Sequence, residues 1–178
     1  MSQPVVIVGL RCAGKSSVGR ALARALELSF VDLDDELTSR AGSDQSAGEL
    51  LDKLGESAFR ELEAEALADC MARGPMVLAT GGGVVERDEN LDRLRSGARV
   101  IWLDASSEAL LERRERDDTA RPLLSGRDPR EELSVLGPRR RPLYESLAGA
   151  AVDTTSREVA EIVEELAEGL RNEIDSGD

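Results

Sequence analysis

Hydrophobic residues in this chain follow two rhythms. Short unbroken apolar runs stand at 5–8 (VVIV) and 76–79 (MVLA), and a third, ARVIWL at 98–103, is apolar except for Arg99. Runs of this length bounded by turn residues suit strands covered on both faces. FVDL at 30–33 and AAVD at 150–153 add two further predicted strands. Between them, apolar positions recur at helical spacing. Val18, Leu22, Ala25 and Leu26 mark a helix from about Lys15 to Leu26. Phe59, Leu62, Ala66 and Met71 mark another over 57–72, and Val159, Ile162, Val163 and Leu166 a closing helix over about 157–170. Shorter helical stretches are predicted at 34–41 and 46–53. Strands separated by helices call for a parallel sheet, because parallel neighbours need long crossovers. The expectation is therefore an α/β fold, three layers with a five-stranded parallel sheet, in a single domain spanning 1–178.

One stretch breaks the rhythm. Asp117 to Arg141 is polar, arginine-rich and interrupted by proline and glycine, which predicts a mobile lid over about 117–130. Residues 172–178 are expected to fray.

Composition narrows the chemistry. With 178 residues and 40% hydrophobic content the chain can bury one core. No apolar run reaches the length of a membrane span, and Gly9 and Arg11 interrupt the first one, so neither a span nor a signal peptide is expected. Cys12 and Cys70 make no disulfide framework, which fits a reducing, cytoplasmic setting. There is no histidine, so acid-base work falls to carboxylates or cysteine. A net charge of -13 argues against nucleic acid or an anionic membrane as partner, since both are polyanions. Any anionic ligand must be held by local cations.

The unusual residues sit where such folds bind ligands, after the strands. GLRCAGKS at 9–16 matches G-x-x-x-x-G-K-[ST] between an apolar strand and a helix, the arrangement of a phosphate-binding loop. Backbone amides from Arg11, Cys12, Ala13, Gly14, Lys15, Ser16 and Ser17 would cradle nucleotide phosphates. Only two of the 23 basic residues are lysines. Lys15 is one of them because a compact ammonium fits this cradle and a planar guanidinium does not. Ser16 offers a hydroxyl to Mg2+. Asp32 and Asp34, two apart at the end of the second strand, start on one side of an extended backbone. Arg60 and Glu63 lie three apart on one helical face. Gly81, Gly82 and Gly83 follow the third strand, where three glycines imply a close backbone approach.

Six segments together, GLRCAGKSSVGRALA, FVDLDDEL, GESAFRELE, TGGGVV, TARPLL and RRRPLYESLA, resemble the shikimate kinase family in order and spacing, from about Val5 to Leu166. That family belongs to the nucleoside-monophosphate-kinase-like group of phosphate-loop enzymes. The resemblance implies a phosphate-loop kinase fold with a lid and transfer of phosphate from ATP to the 3-hydroxyl of shikimate, with Mg2+, in a monomer. It implies that Lys15 and Arg121 neutralise the transferring phosphate, and that Asp32 joins Ser16 around the metal. Asp34 would orient the attacking hydroxyl. Arg60, supported by Glu63, and Arg140 would grip the substrate carboxylate, Phe59 would wall its ring, and Gly81 to Gly83 would lie against it. Arg114 would stack on adenine, with Arg113 and Arg116 nearby. Two alternatives stay open: another small-molecule kinase such as gluconate kinase, and a catalytically silent ligand-binding relative. The family commonly has glycine where this chain has Cys12, and a β-carbon there is costly if φ is positive. Gly137-Pro138 interrupts a stretch that the family keeps helical, leaving open which of Arg139, Arg140 and Arg141 faces the pocket.

Overall fold

The structure, a computed structural model, describes residues 3–42, 45–116 and 128–175. Five parallel strands, β1 (Val5–Val8), β2 (Ser29–Asp32), β3 (Met76–Ala79), β4 (Arg99–Asp104) and β5 (Val152–Asp153), lie in the order β2-β3-β1-β4-β5. Strand β1 is central: Val5 stands beside Val77 on one side and Arg99 on the other. All four of its side chains are fully buried, each worth about 1.5–3 kcal/mol over an exposed position. The helices among the described residues are α1 (Lys15–Ala25), α2 (Leu33–Arg40), α3 (Ala47–Leu54), α4 (Glu56–Ala72), α5 (Asp88–Gly97), α6 (Ser107–Arg116), α7 (Pro129–Ala148) and α8 (Val159–Asp175). Together they make the expected three-layer sandwich. A short 3-10 turn, Val84–Glu86, follows the glycines.

Local chemistry sets several boundaries that matter for the site. Asp32 ends β2 and caps α2, its Oδ1 accepting from the Asp34 amide at 3.1 Å. Helix α3 begins in a capping box, with Ser46 and Glu49 each satisfying the other's backbone. These caps fix where the second strand turns into helix and where α3 begins.

Four expectations are corrected. The predicted lid over 117–130 overlaps α7, which starts at Pro129, with Asp128 Oδ1 accepting from the amides of Arg130 and Glu131 at 2.9 and 3.4 Å. Proline at a first helical position loses no hydrogen bond. Residues 117–127, with Arg121 and Pro122, lie outside the described residues. The polar stretch from Pro129 to Arg141 is helix rather than insertion, and Pro138 and Pro142 do not end it. Each proline removes one backbone donor, while the same helix buries Gly137, Arg140 and Tyr144. The tail expected to fray from 172 is helical through Asp175. It is tied down by Arg171, whose Nη2 donates to the Ala25 carbonyl at 2.6 Å, and by an ion pair of Glu173 with Arg99. Finally, α5 and α6 were not anticipated, and Val159, expected inward, is 36% exposed.

Candidate active site

A cavity of about 550 Å3 opens at the carboxyl ends of β1, β2 and β3. Its floor is the loop between β1 and α1. Gly9 takes φ 146°, and a Cβ there would overlap the Leu103 carbonyl of β4. Cys12 sits at φ 64° and Gly14 at φ 94°, both left-handed. The family-like glycine position is therefore one that demands a positive φ, and this chain holds a side chain there at a cost of about 1–2 kcal/mol. Lys15 opens α1 and folds back over the loop, its Nζ donating to the Leu10 carbonyl at 2.8 Å. Loss of water holds its ammonium at about 8 instead of 10.5, while Asp34 and Asp32 pull it upward. Ser16 donates its hydroxyl to Asp32 Oδ2 at 2.6 Å, so Asp32 binds the loop with one oxygen and caps α2 with the other.

The loop is braced from behind by a residue whose role the sequence did not single out. Arg113 of α6 donates to the Cys12 carbonyl at 3.3 Å and to Thr154 Oγ1 at 3.0 Å, and it bonds the Thr154 carbonyl as well. Thr154 in turn donates to the Ala13 carbonyl at 3.2 Å. Arg113 lines the cavity. Arg114, expected to stack on adenine, pairs with the buried Glu132 at 3.1 Å. Ala13 packs into the core, so only its backbone belongs to the loop.

The opposite wall is made of side chains from distant elements. Arg60 of α4 pairs with Glu63 at 2.8 Å and with Glu86 at 3.3 Å, and its guanidinium lies 5.5 Å from the Phe59 ring centre. Burial pushes the Glu63 carboxyl upward, and the Arg60 charge opposes that shift. From α7, Arg140 reaches in and bonds Glu86 at 2.9 Å. Arg139 is mostly exposed, and Arg141 turns away to Asp104 at 2.7 Å. Arg140 is thus the arginine that faces the cavity. Arg60 Nε and Arg140 Nε are buried with no acceptor among the described residues. Such orphaned donors cost about 1–3 kcal/mol each, which is repaid if a ligand anion supplies the acceptor.

The glycine turn after β3 lies between the two walls. A Cβ on Gly81 would come within 3.1 Å of both Asp34 Oδ1 and Glu63 Oε1, and one on Gly83 would overlap the Arg60 guanidinium. Tyr144 of α7, another residue missed in the sequence, donates its hydroxyl to the Gly82 carbonyl at 2.6 Å and pins the turn.

The cavity thus gathers Arg11, Cys12, Gly14, Lys15, Ser16 and Ser17 with Asp32 and Asp34. Phe59, Arg60, Glu63, the three glycines and Arg140 share it. Glu86, off the cavity wall, could have been suspected only as the acid one short turn past the glycines.

Comparison with known proteins agrees with this geometry. A family model described as shikimate kinase matches residues 11–171. A protein named shikimate kinase from Bordetella pertussis is 44% identical over 168 residues, covering 94% of this chain and 78% of the relative. A solved shikimate kinase from Acinetobacter baumannii in complex with shikimate superposes with a TM-score of 0.87 at 31% identity, covering 96% of this chain and 94% of that one. A gluconokinase from Sinorhizobium meliloti, TM-score 0.63 at 23% identity over 98% of this chain and 94% of its own, shares the fold alone. With a phosphate loop and a paired-arginine wall in one cavity, and with these likenesses over nearly its whole length, the chain belongs to the shikimate kinase family.

Proposed function

We propose that this chain transfers the terminal phosphate of ATP to the 3-hydroxyl of shikimate, giving shikimate 3-phosphate and ADP. The observation that carries the reading is that one cavity joins the phosphate loop to two guanidiniums, the partly buried Arg60 and the buried Arg140. The loop takes a triphosphate on its amides and on Lys15. The arginines suit a small carboxylate through paired hydrogen bonds. Asp34, half-buried on the same cavity wall, would accept a hydrogen bond from the alcohol and orient its oxygen toward the phosphate. Phosphoryl transfer needs positioning and charge neutralisation more than covalent help.

The Ser16 hydroxyl and Asp32 carboxylate, 2.6 Å apart beneath the loop, form a hard oxygen pair suited to Mg2+, which commonly uses one or two protein oxygens and takes the rest from phosphates and water. When bound, the ion would neutralise phosphate charge. Arg121 is proposed to add positive charge over the phosphates. The reading extends to a single-domain cytoplasmic monomer that binds neither nucleic acid nor membrane.

A coupled assay of ADP release tests the proposal. Turnover that depends on shikimate supports it; binding without turnover supports the silent relative, for which the left-handed Cys12 is the favouring feature. Turnover on gluconate in place of shikimate overturns it.

A further inference from the structure

The two carboxylate-facing arginines come from helices far apart in sequence, and one acid links them. Glu86 Oε2 accepts from Arg60 Nη2 at 3.3 Å and from Arg140 Nη2 at 2.9 Å. Its Oε1 lies 3.1 Å from Arg139 Nε without the alignment of a hydrogen bond. The side chains of Glu86 and Arg140 are each 7% exposed. Arg60 has a second carboxylate in Glu63, whereas Glu86 is the carboxylate paired with Arg140 among the described residues. Both α4 and α7 pack on the 3-10 turn that carries Glu86.

We infer that Glu86 is a positioning residue for the acceptor site, one carboxylate oxygen fixing the spacing and orientation of Arg60 and Arg140. The inference rests on the functional reading above. Glu86 does not line the cavity, so it acts through the arginines and not on the substrate. Removing its charge leaves a buried guanidinium without a counter-ion, and such a group relaxes toward water. Glu86 does not use up the arginines: both Nε donors are without an acceptor. With Glu63 it sets two carboxylates against the two guanidiniums.

Kinetics of the full chain with ATP and shikimate, for wild type, Glu86→Gln and Glu86→Asp, test this alongside thermal melting. Glu86→Gln is expected to raise KM for shikimate about 10- to 100-fold while kcat and KM for ATP move less than about threefold. Added to Arg140→Ala, it should contribute little more, because the two act as a unit. An unchanged KM for shikimate, an equal rise in KM for ATP, or full additivity with Arg140→Ala overturns the inference. Glu86→Asp keeps the charge but is one methylene too short to reach both guanidiniums, and it should show a smaller rise of the same kind. It carries the test if the Gln variant does not fold. Should wild type show no shikimate-dependent turnover, the functional reading fails instead. Non-additive melting of the Glu86→Gln and Arg140→Ala variants then supports the linkage, and additive melting overturns it.

Discussion

The two ends of the cavity are built on different principles. The proposed phosphate end is one continuous segment, residues 9 to 17, in which backbone amides and a single ammonium would do the holding. The acceptor end is a set of side chains from α2, α4 and α7 and from the turns after β3, held by buried ion pairs. A backbone cradle is fixed by φ angles and tolerates little beyond glycine at a few positions. A side-chain wall is fixed by charge balance, so it fails when a partner is removed. The first should respond to mutation in rate, the second in substrate affinity.

The sharpest way to break this contrast is Lys15→Ala. Turnover is expected to fall about 10²- to 10³-fold, the scale of losing one preorganised charge at the reacting group, with the melting temperature unaffected or raised because a desolvated ammonium is gone. Near-normal turnover would end the phosphate-loop reading. Arg60→Ala comes next: KM for shikimate should rise about 10- to 100-fold with KM for ATP little changed. Equal changes in both constants would mean the two ends are not separable.

A smaller effect concerns protons. Lys15 is held at about 8 by loss of water, and a triphosphate beside it favours the charged form and raises that value. Its contribution to nucleotide affinity is therefore complete below pH 8 and fades as the pH rises through the bound value. Calorimetry in two buffers of different ionisation enthalpy should show proton uptake on nucleotide binding at about pH 9 and almost none at about pH 6.5; equal uptake at both would place the ammonium elsewhere. The smallest expected change is Cys12→Gly. It relieves a left-handed side chain but adds freedom to the unfolded chain, a net gain of about 0.5–1 kcal/mol and about 2 °C in melting temperature. A lower melting temperature would show that the thiol contributes packing worth more than the strain.

Legibility followed the same division. The phosphate loop and the first four strands could be read because each depends on neighbours within about ten residues, whether as an apolar run or as glycines flanking a lysine. Helix α7 was hidden. Pro138 and Pro142 are poor helix residues by local preference, and only packing of Tyr144 and Arg140 against the rest of the fold overrides them. Arg113 and Arg114 are adjacent and chemically identical. Which one braces the loop and which pairs with Glu132 is set by the rotation of α6 against β5 and α7, a fact with no local signal.

By itself the sequence determined the alternation of strand and helix, the place of the phosphate cradle, and the family to which six motifs point, because these are encoded by residue type and spacing along one stretch of chain. Only the tertiary structure decided that Arg140, not Arg139 or Arg141, faces the cavity, and that Glu86 holds it beside Arg60. The reason is physical. A buried charge has to be compensated within a few ångströms in space, and the acid that compensates Arg140 lies 54 residues away in sequence.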